Sequence, residues 1–248
     1  MSALTAVQLD ADNSGKLCEA LLVAGAVNLQ RMIIEPTIIR GVDEKVTTVM
    51  FSGDNLPDLG QRSIGVSRIG ELISRLKVIQ TVGTPTVTMM VSPHDNEVKE
   101  VVFAVKRTKA AFRCSSPKHI KNVPTTVNDP DIWEIEAPVT IVQQISQAIS
   151  AMKSQYITIS SANGIDFTID TVDITNDVFS SVIDDVTINN IGDPSITSFV
   201  SRYSADTITT LMKHAAPKDT GKFKFIMTKN GIIKLKINGH QVFMVSSR

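Results

Sequence analysis

Histidine and cysteine, which often serve as general bases, nucleophiles or metal ligands, are few and widely spaced in this chain. The four histidines are scattered along the sequence: His94, His119, His214 and His240. None lies at metal-ligand spacing from another histidine or from Cys18 or Cys114, and the two cysteines indicate reduced thiols. The sequence also lacks a nucleophile elbow, a P-loop and a dinucleotide-binding glycine motif. We therefore expect a protein that is not an enzyme and that needs no cofactor or metal.

Charged residues are balanced over the whole chain but unevenly placed along it. The 25 lysine and arginine side chains equal the 25 aspartate and glutamate side chains, which excludes a uniformly basic nucleic-acid-binding protein. A basic face remains compatible with this total if acids lie elsewhere. Seven aspartates crowd the middle of the second half: Asp166, Asp170, Asp173, Asp177, Asp184, Asp185 and Asp193. They indicate either an acidic surface or simply the turns that aspartate favours.

The elements that would position charged side chains occur twice. Each half ends in an amphipathic helix, predicted over residues 66–77 and 204–215, followed by three short β-type runs. Leu72 and Ile208 are separated by 136 residues, and so are Val87 and Phe223. A shared offset through a helix and a strand indicates an internal duplication.

The earlier part of each half is also alike, with an alternating strand followed by a helix at residues 12–23 and 139–153. Residues 32–41 and 45–51 look like one pair of strands. Tight turns are predicted at three Asn-Gly pairs: Asn163-Gly164, Asn230-Gly231 and Asn238-Gly239. Residues 115–131 are polar and proline-containing, which is typical of a connector. The sequence thus predicts an α+β fold of two tandem similar domains, 1–120 and 128–248, each with two helices packed on β-sheet.

This pattern resembles a known family. Residues 198–245, which read SFVSRYSADTITTLMKHAAP and end in VFMV, resemble the final helix and closing strands of DNA sliding clamp subunits. The segments AVNLQRMI and IGVSRIGELISRLKVI resemble the part of a clamp domain from its first helix to its second. The chain as a whole is similar to proliferating cell nuclear antigen and the T-even phage polymerase clamps. The resemblance implies the DNA clamp fold and a processivity factor that encircles duplex DNA and tethers the replicative polymerase.

In a clamp, helices carrying cations and flexible amides face the DNA and contact phosphates without reading the bases. The resemblance therefore implies DNA contacts on the polar faces of the four predicted helices. The implied residues are Lys16, Arg68, Arg75, Lys77, Gln143, Gln147, Lys153, Lys213 and His214. The helix of residues 139–153 contains no acid, which is unusual for an exposed face. Taken one at a time, each helix also fits an ordinary solvated face with basic residues near its C-terminus.

The resemblance also implies a docking site for short partner peptides beside the connector and the C-terminal strand. By position, four residues would contribute: Ile120, Val123, Phe243 and Val245. Ring closure would join an edge strand near residues 101–112 to one near residues 179–186 of the next subunit. Two domains per subunit imply a homotrimer, because six domains complete such a ring. The implied partners are duplex DNA, a DNA polymerase and an ATP-dependent clamp loader.

Two other classes of protein share part of this pattern. A monomeric viral processivity factor has the same fold and clings to DNA through a basic face, but it usually needs more positive charge than this neutral chain carries. A β-rich viral structural or interaction protein fits the composition, but a sandwich or jelly roll lacks paired helices in each half. The N-terminus shows no signal-peptide pattern, and no apolar run reaches the roughly 18 residues of a membrane span. We therefore expect no membrane partner and a cytoplasmic location, in the host cytoplasm or nucleoid if the protein is viral.

Overall fold

The computed structural model describes residues 3–162, 166–172, 177–216 and 221–246. The predicted Asn163-Gly164 turn and the predicted acid Asp173 lie outside these residues. The chain divides into two compact units: unit 1 comprises Met1–Thr125 with Asn238–His240, and unit 2 comprises Thr126–Ile237 with Gln241–Arg248.

Unit 1 contains two helices and eight strands among its described residues. In chain order they are β1 (Thr5–Gln8), α1 (Ala11–Ala26), β2 (Arg31–Glu35), β3 (Ile38–Val42), β4 (Thr48–Ser52), β5 (Ile64–Val66), α2 (Ile69–Gln80), β6 (Thr86–Val91), β7 (Val98–Val105) and β8 (Thr108–Arg113). The strands are hydrogen-bonded in the orders β1-β6-β7-β8 and β4-β3-β2-β5. A short 3₁₀ turn, Pro117–His119, begins the connector.

Unit 2 repeats this arrangement. Its elements are β9 (Asp131–Pro138), α3 (Thr140–Met152), β10 (Tyr156–Ala162), β11 (Asp166–Val172), β12 (Val178–Val182), β13 (Thr187–Asn190), β14 (Phe199–Ser204), α4 (Ala205–Ala215), β15 (Lys222–Thr228), β16 (Ile233–Ile237) and β17 (His240–Met244). The strand orders are β13-β9-β15-β16-β17 and β12-β11-β10-β14. The predicted α+β class with two similar domains is confirmed.

Strand register confirms the duplication at the level of single residues. Val7 of β1 pairs with Met89 of β6, and Ile135 of β9 pairs with Phe225 of β15. Met89 and Phe225 keep the same 136-residue offset that separates Leu72 from Ile208. The only added strand among the described elements of unit 2 is β13, which pairs with the edge of β9.

Each pair of helices packs together and buries one apolar side. In unit 1, α1 and α2 approach closely at Gly25, where a Cβ atom would lie 2.8 Å from Ile73 Cγ1. The start of α1 is fixed by Asp10, whose carboxylate accepts from the Asn13 N–H at 2.8 Å. In unit 2, α3 packs against α4 and contributes three buried residues: Ile141, Ile145 and Ala148. Among the described residues, no helix is long and apolar enough to span a bilayer.

Two predicted boundaries were wrong. Residues 32–41 form a hairpin rather than one strand, since Pro36 and Thr37 make the turn between β2 and β3. Helix α2 begins at Ile69 rather than at residue 66, because Val66 pairs with Met32 as part of β5.

The two described Asn-Gly turns are confirmed. Asn238 and Gly239 have φ values of 47° and 84° and form the two-residue turn between β16 and β17, which is the geometry that this pair favours. Gly231, with φ of 76°, lies in the longer turn between β15 and β16. Its N–H donates to the Thr228 carbonyl at 3.1 Å.

Candidate nucleic-acid interface

Three predicted cations lie at α2, with Arg68 at its N-cap position and Arg75 and Lys77 within the helix, and they are in two different environments. Arg68 and Arg75 both approach Glu71, with N–O distances of 2.8 Å and 3.8 Å. Lys77 is exposed, and no described carboxylate lies within ion-pair distance of it. Of these three residues, Lys77 is therefore the one whose charge is most available to a phosphate.

The two arginines also make contacts within unit 1. The guanidinium carbon of Arg68 lies 5.2 Å from the centre of the Phe112 ring, and that of Arg75 lies 5.5 Å from it. Arg75 Nη1 donates to the Ala111 carbonyl at 2.9 Å. Phe112 and Ala111 belong to β8, so these side chains join α2 to the edge strand of its own unit. Both side chains remain roughly half exposed, at 49% and 43%.

Helix α1 has an acidic character at its N-terminal end. Lys16 forms an ion pair with Asp12 at 2.7 Å, one turn before it. The hydrogen bond that the Lys16 ammonium donates to the Asp12 carboxylate raises the pKa of Lys16, which therefore stays protonated. With Asp10 and Glu19 on the same segment, α1 presents more carboxylates than ammonium groups. Lys16 was predicted to contact DNA, but its charge is already paired with the carboxylate of Asp12.

Helix α3 carries the exposed amides that the sequence predicts. Gln143 and Gln147 are exposed, and the whole helix Thr140–Met152 contains no charged residue. Lys153 ends the helix in the left-handed conformation, with φ of 49°. It lines a groove of about 510 Å³ together with Tyr156, Asp170 and Arg202.

Arg202 in this groove is a residue that sequence reasoning did not select. Its guanidinium lies 4.1 Å from the centre of the Tyr156 ring, which holds the charge at the surface beside Lys153. The pairing of β10 with β14, which the sequence does not reveal, brings these residues together.

Helix α4 places Lys213 and His214 in its last turn, and both are exposed. Cations at this position also favour the helix dipole. The predicted DNA-contacting residues therefore lie on all four helices, and those on α1 and α2 belong to unit 1 whereas those on α3 and α4 belong to unit 2. Their contact with DNA stays a prediction.

Four residues were predicted to bind partner peptides. Ile120 is buried against β5, where a Cβ atom on Gly65 would lie 2.9 Å from its Cδ1. Phe243 is also buried, with the Lys234 ammonium 5.6 Å from the ring centre. Val123 and Val245 are partly exposed. The burial of Ile120 and Phe243 limits the surface that they offer, and their role stays a prediction.

A groove of about 640 Å³ in unit 2 was not anticipated from the sequence. It runs beside the edge strand β14, where Val200 is 74% exposed. Its other lining residues include Trp133, Ile196, Phe199, Asn230 and Ser246. The Tyr203 hydroxyl donates to the Gly231 carbonyl at 2.7 Å and so joins β14 to the opposite wall.

Unit 1 indicates what such a groove can hold. The matching strand there is β5, and the start of the connector lies along it. The Ser115 N–H donates to the Gly65 carbonyl at 2.9 Å, and the Ser67 and Ser115 hydroxyls are 2.6 Å apart. The start of the connector, with the buried Ile120 directly after its 3₁₀ turn, thus covers the strand edge in unit 1.

Wall residues of the unit 2 groove are held by a buried carboxylate. Asp129 accepts hydrogen bonds from the Thr228 hydroxyl and from the side-chain amide of Asn230, the latter at 2.8 Å. It also accepts from the Asn230 N–H at 3.1 Å. These bonds fix the turn between β15 and β16 at one side of the groove.

Metal-binding clusters and reactive thiols were sought among the described residues. These residues contain no cluster of three histidine, cysteine, aspartate or glutamate side chains suited to a metal ion. Burial raises the pKa of Cys18 to about 11 and that of Cys114 to about 12, so both thiols stay protonated and are poor nucleophiles.

Comparison with known proteins gives a clear result for the fold. No protein-family model matches the sequence, and no curated protein matches it. Solved structures match over nearly the whole chain. A structure of A. fulgidus PCNA bound to the C-terminal region of FEN-1 has 14% identity and a TM-score of 0.65, and the match covers 98% of each chain.

Two further structures match along all but a few residues of this chain. DNA polymerase III subunit beta from Borrelia burgdorferi has 10% identity and a TM-score of 0.70, covering 99% of this chain and 65% of that one. The DNA polymerase sliding clamp from Pseudomonas aeruginosa has 10% identity and a TM-score of 0.65, covering 100% and 67%. The chain therefore has the DNA sliding clamp fold. It spans almost all of the A. fulgidus chain and about two thirds of the other two.

Proposed function

We propose that this protein is a DNA sliding clamp, a ring of three subunits that encircles duplex DNA and tethers a DNA polymerase without catalysing a reaction itself. The observation that carries this proposal is the repetition of one strand order and one helix pair in two consecutive units. The match to A. fulgidus PCNA over 98% of both chains supports a subunit that contains two such domains. Six such domains complete the proposed ring.

Ring closure in this proposal joins two edge strands that lack a second neighbour among the described residues. Among the described strands, β8 pairs with β7 alone and β12 pairs with β11 alone. They overlap the predicted edge segments 101–112 and 179–186. An exposed edge without charges invites pairing with another chain. Strand β12 fits this description, since Val178, Phe179 and Val182 are exposed and the strand contains no charged residue.

Charges around the two edges have opposite signs. Four exposed cations lie on or beside β8: Lys106, Arg107, Lys109 and Arg113. Three exposed aspartates flank β12: Asp177, Asp184 and Asp185. Opposite charges on two surfaces favour their encounter and disfavour pairing of like edges. A β8 edge therefore suits the β12 edge of a neighbouring subunit better than it suits another β8.

Within the proposed ring, the helices face the DNA. Lys77, Lys153 and Lys213 supply charge, and Gln143 and Gln147 supply amides that can exchange partners as DNA slides. Such contacts carry no sequence information, because phosphates are alike along the duplex. An ATP-dependent loader would open the ring at the β8–β12 contact.

For partner recognition, we assign the groove beside β14 in unit 2. The predicted residues Ile120 and Val123 of unit 1, and Phe243 and Val245 of unit 2, stay separate candidates. An extended peptide could add main-chain hydrogen bonds to the β14 edge and place an aliphatic or aromatic side chain against Val200 and Phe199. A polymerase peptide of this kind would tether the enzyme without blocking the DNA.

The experiment that tests the ring combines mass and topology. Sedimentation equilibrium gives the oligomeric mass, which we expect to be three times that of the 27.0 kDa chain. For the topological test, the protein is threaded over linear duplex DNA, the ends are ligated, and the circle is separated from free protein by gel filtration. We expect the protein to stay on the circle and to leave once a restriction enzyme cuts it.

Two outcomes would overturn the proposal. A monomer that binds circular and linear DNA equally would indicate the monomeric type of processivity factor. A trimer that never remains on circular DNA would exclude a ring around the duplex and favour a structural or interaction protein. A control circle, mixed with protein only after ligation, measures binding that does not depend on threading.

A further inference from the structure

Arg68 and Arg75 hold β8 from the side of α2. Their guanidinium groups lie 5.2 Å and 5.5 Å from the centre of one ring, that of Phe112, and both face the carboxylate of Glu71. Phe112 is 1% exposed, so its ring is buried.

The hydrogen bond from Arg75 reaches the free edge of the strand. Glu100 pairs with Arg113 in the β7–β8 ladder, and the Cys114 N–H donates to the Lys99 carbonyl at 2.8 Å. Because an antiparallel strand points its backbone groups alternately toward and away from its partner, those of Ala111 point away from β7. Arg75 Nη1 therefore donates to a carbonyl at the free edge, at 2.9 Å.

The same edge is the one through which the ring would close. The backbone groups available to a neighbouring strand are those of Lys109, Ala111 and Arg113, so Arg75 contacts the middle residue of the three. A carbonyl oxygen has two lone pairs, which leaves Ala111 able to accept a second bond from the next subunit.

We infer that Arg75, supported by Arg68, Glu71 and Phe112, is a positioning residue for subunit assembly: it holds the β8 edge where the β12 edge of the next subunit can pair with it. The inference rests on the proposed ring and assigns these two arginines to assembly rather than to DNA contact. A lysine cannot replace Arg75, because an ammonium group lacks the planar fork that bonds a carbonyl while lying over an aromatic ring.

The test compares three variants of the full-length chain: Arg75→Ala, Arg75→Lys and Lys77→Ala. Lys77 is the matched control, because it is an exposed cation of the same helix with no described ion-pair partner. Sedimentation equilibrium measures the subunit dissociation constant, and thermal unfolding checks the fold of each variant. We expect both Arg75 variants to weaken assembly by about tenfold or more, whereas Lys77→Ala assembles like the natural protein.

Retention on ligated circular DNA separates assembly from DNA contact. At protein concentrations high enough to restore the trimer, we expect Arg75→Ala to remain on the circle as long as the natural protein. The inference is overturned if Arg75→Lys restores assembly, or if Arg75→Ala assembles more tightly than the natural protein. It is also overturned if Arg75→Ala assembles normally but is no longer retained on DNA. If Arg75→Ala fails to fold, Arg75→Lys decides the question by its dissociation constant. A natural protein that is monomeric overturns the proposed ring itself, which is a different result.

Discussion

His240 is a titratable residue whose surroundings oppose its charged form. It is 0% exposed, and neither ring nitrogen has a hydrogen-bond partner among the described residues. Burial lowers the pKa of His240, and the negative charge of Glu19 only partly counters this. The folded chain therefore binds a proton at this site less readily than the unfolded chain, in which histidine has a pKa of about 6.5.

The sign of the pH effect follows from this difference. The stability that a neutral His240 contributes is fully present above about pH 6.5 and is lost as the pH falls below that value, because unfolding then takes up a proton. We expect His240→Leu to lose less stability than the natural protein between about pH 7.5 and pH 5. Urea unfolding at each pH measures this. His119→Leu, which replaces an exposed histidine by the same residue, is the control.

Residue roles were harder to predict than residue positions. The sequence places Arg68 and Arg75 on the polar side of a helix, and the structure agrees that they are partly exposed. Their contact with Phe112 depends on where β8 runs, 37 to 44 residues further along the chain. The groove beside β14 could not be predicted either, because its walls come from the distant segments β9, β14 and the turn after β15. Contacts between distant segments leave no periodic signal.

At the scale of elements, the duplication makes a quantitative prediction. Leu72 in α2 and Ile208 in α4 occupy equivalent positions and are 1% and 0% exposed. Truncating a buried aliphatic side chain loses its transfer free energy and leaves a cavity. We expect Leu72→Ala and Ile208→Ala each to lower the free energy of unfolding by about 2–5 kcal/mol, as read by urea unfolding.

Val78→Ala supplies the comparison for this prediction, because Val78 lies on α2 but is 62% exposed. Its effect should stay within about 0.5 kcal/mol. A loss at Leu72 without a loss at Ile208 would contradict the equivalence of the two helices.

Helices and their offset were predictable because amphipathic periodicity records which side is buried. Strand boundaries were harder to predict from the sequence. Pro36 lies inside a run of β-branched and apolar residues, and only the pairing of Ile34 with Ile39 reveals that the chain turns there. Strand β13 was missed because its pattern is short and mostly exposed, so burial leaves no alternation to detect.

For the whole molecule, the net charge of zero determines how the proposed clamp would hold DNA. Only a few predicted cations, Lys77, Lys153 and Lys213, have no described ion-pair partner on their helices. Each phosphate neutralised contributes a slope of about −0.9 to the dependence of log affinity on log salt. One subunit with three such contacts should therefore show a slope of about −3 for direct binding, too little charge to hold DNA firmly at physiological salt.

A closed ring around circular DNA does not depend on salt in this way, because it is retained by enclosure and not by charge. This gives a prediction for the assembled protein. We expect direct binding to blocked linear DNA to vanish between about 0.05 and 0.5 M NaCl, while protein already enclosing a ligated circle stays bound over the same range. Gel filtration of labelled protein on each DNA measures this, and sedimentation at each salt concentration verifies that the trimer persists. Parallel loss from linear and circular DNA, with the trimer intact, would mean that charge rather than enclosure holds the duplex.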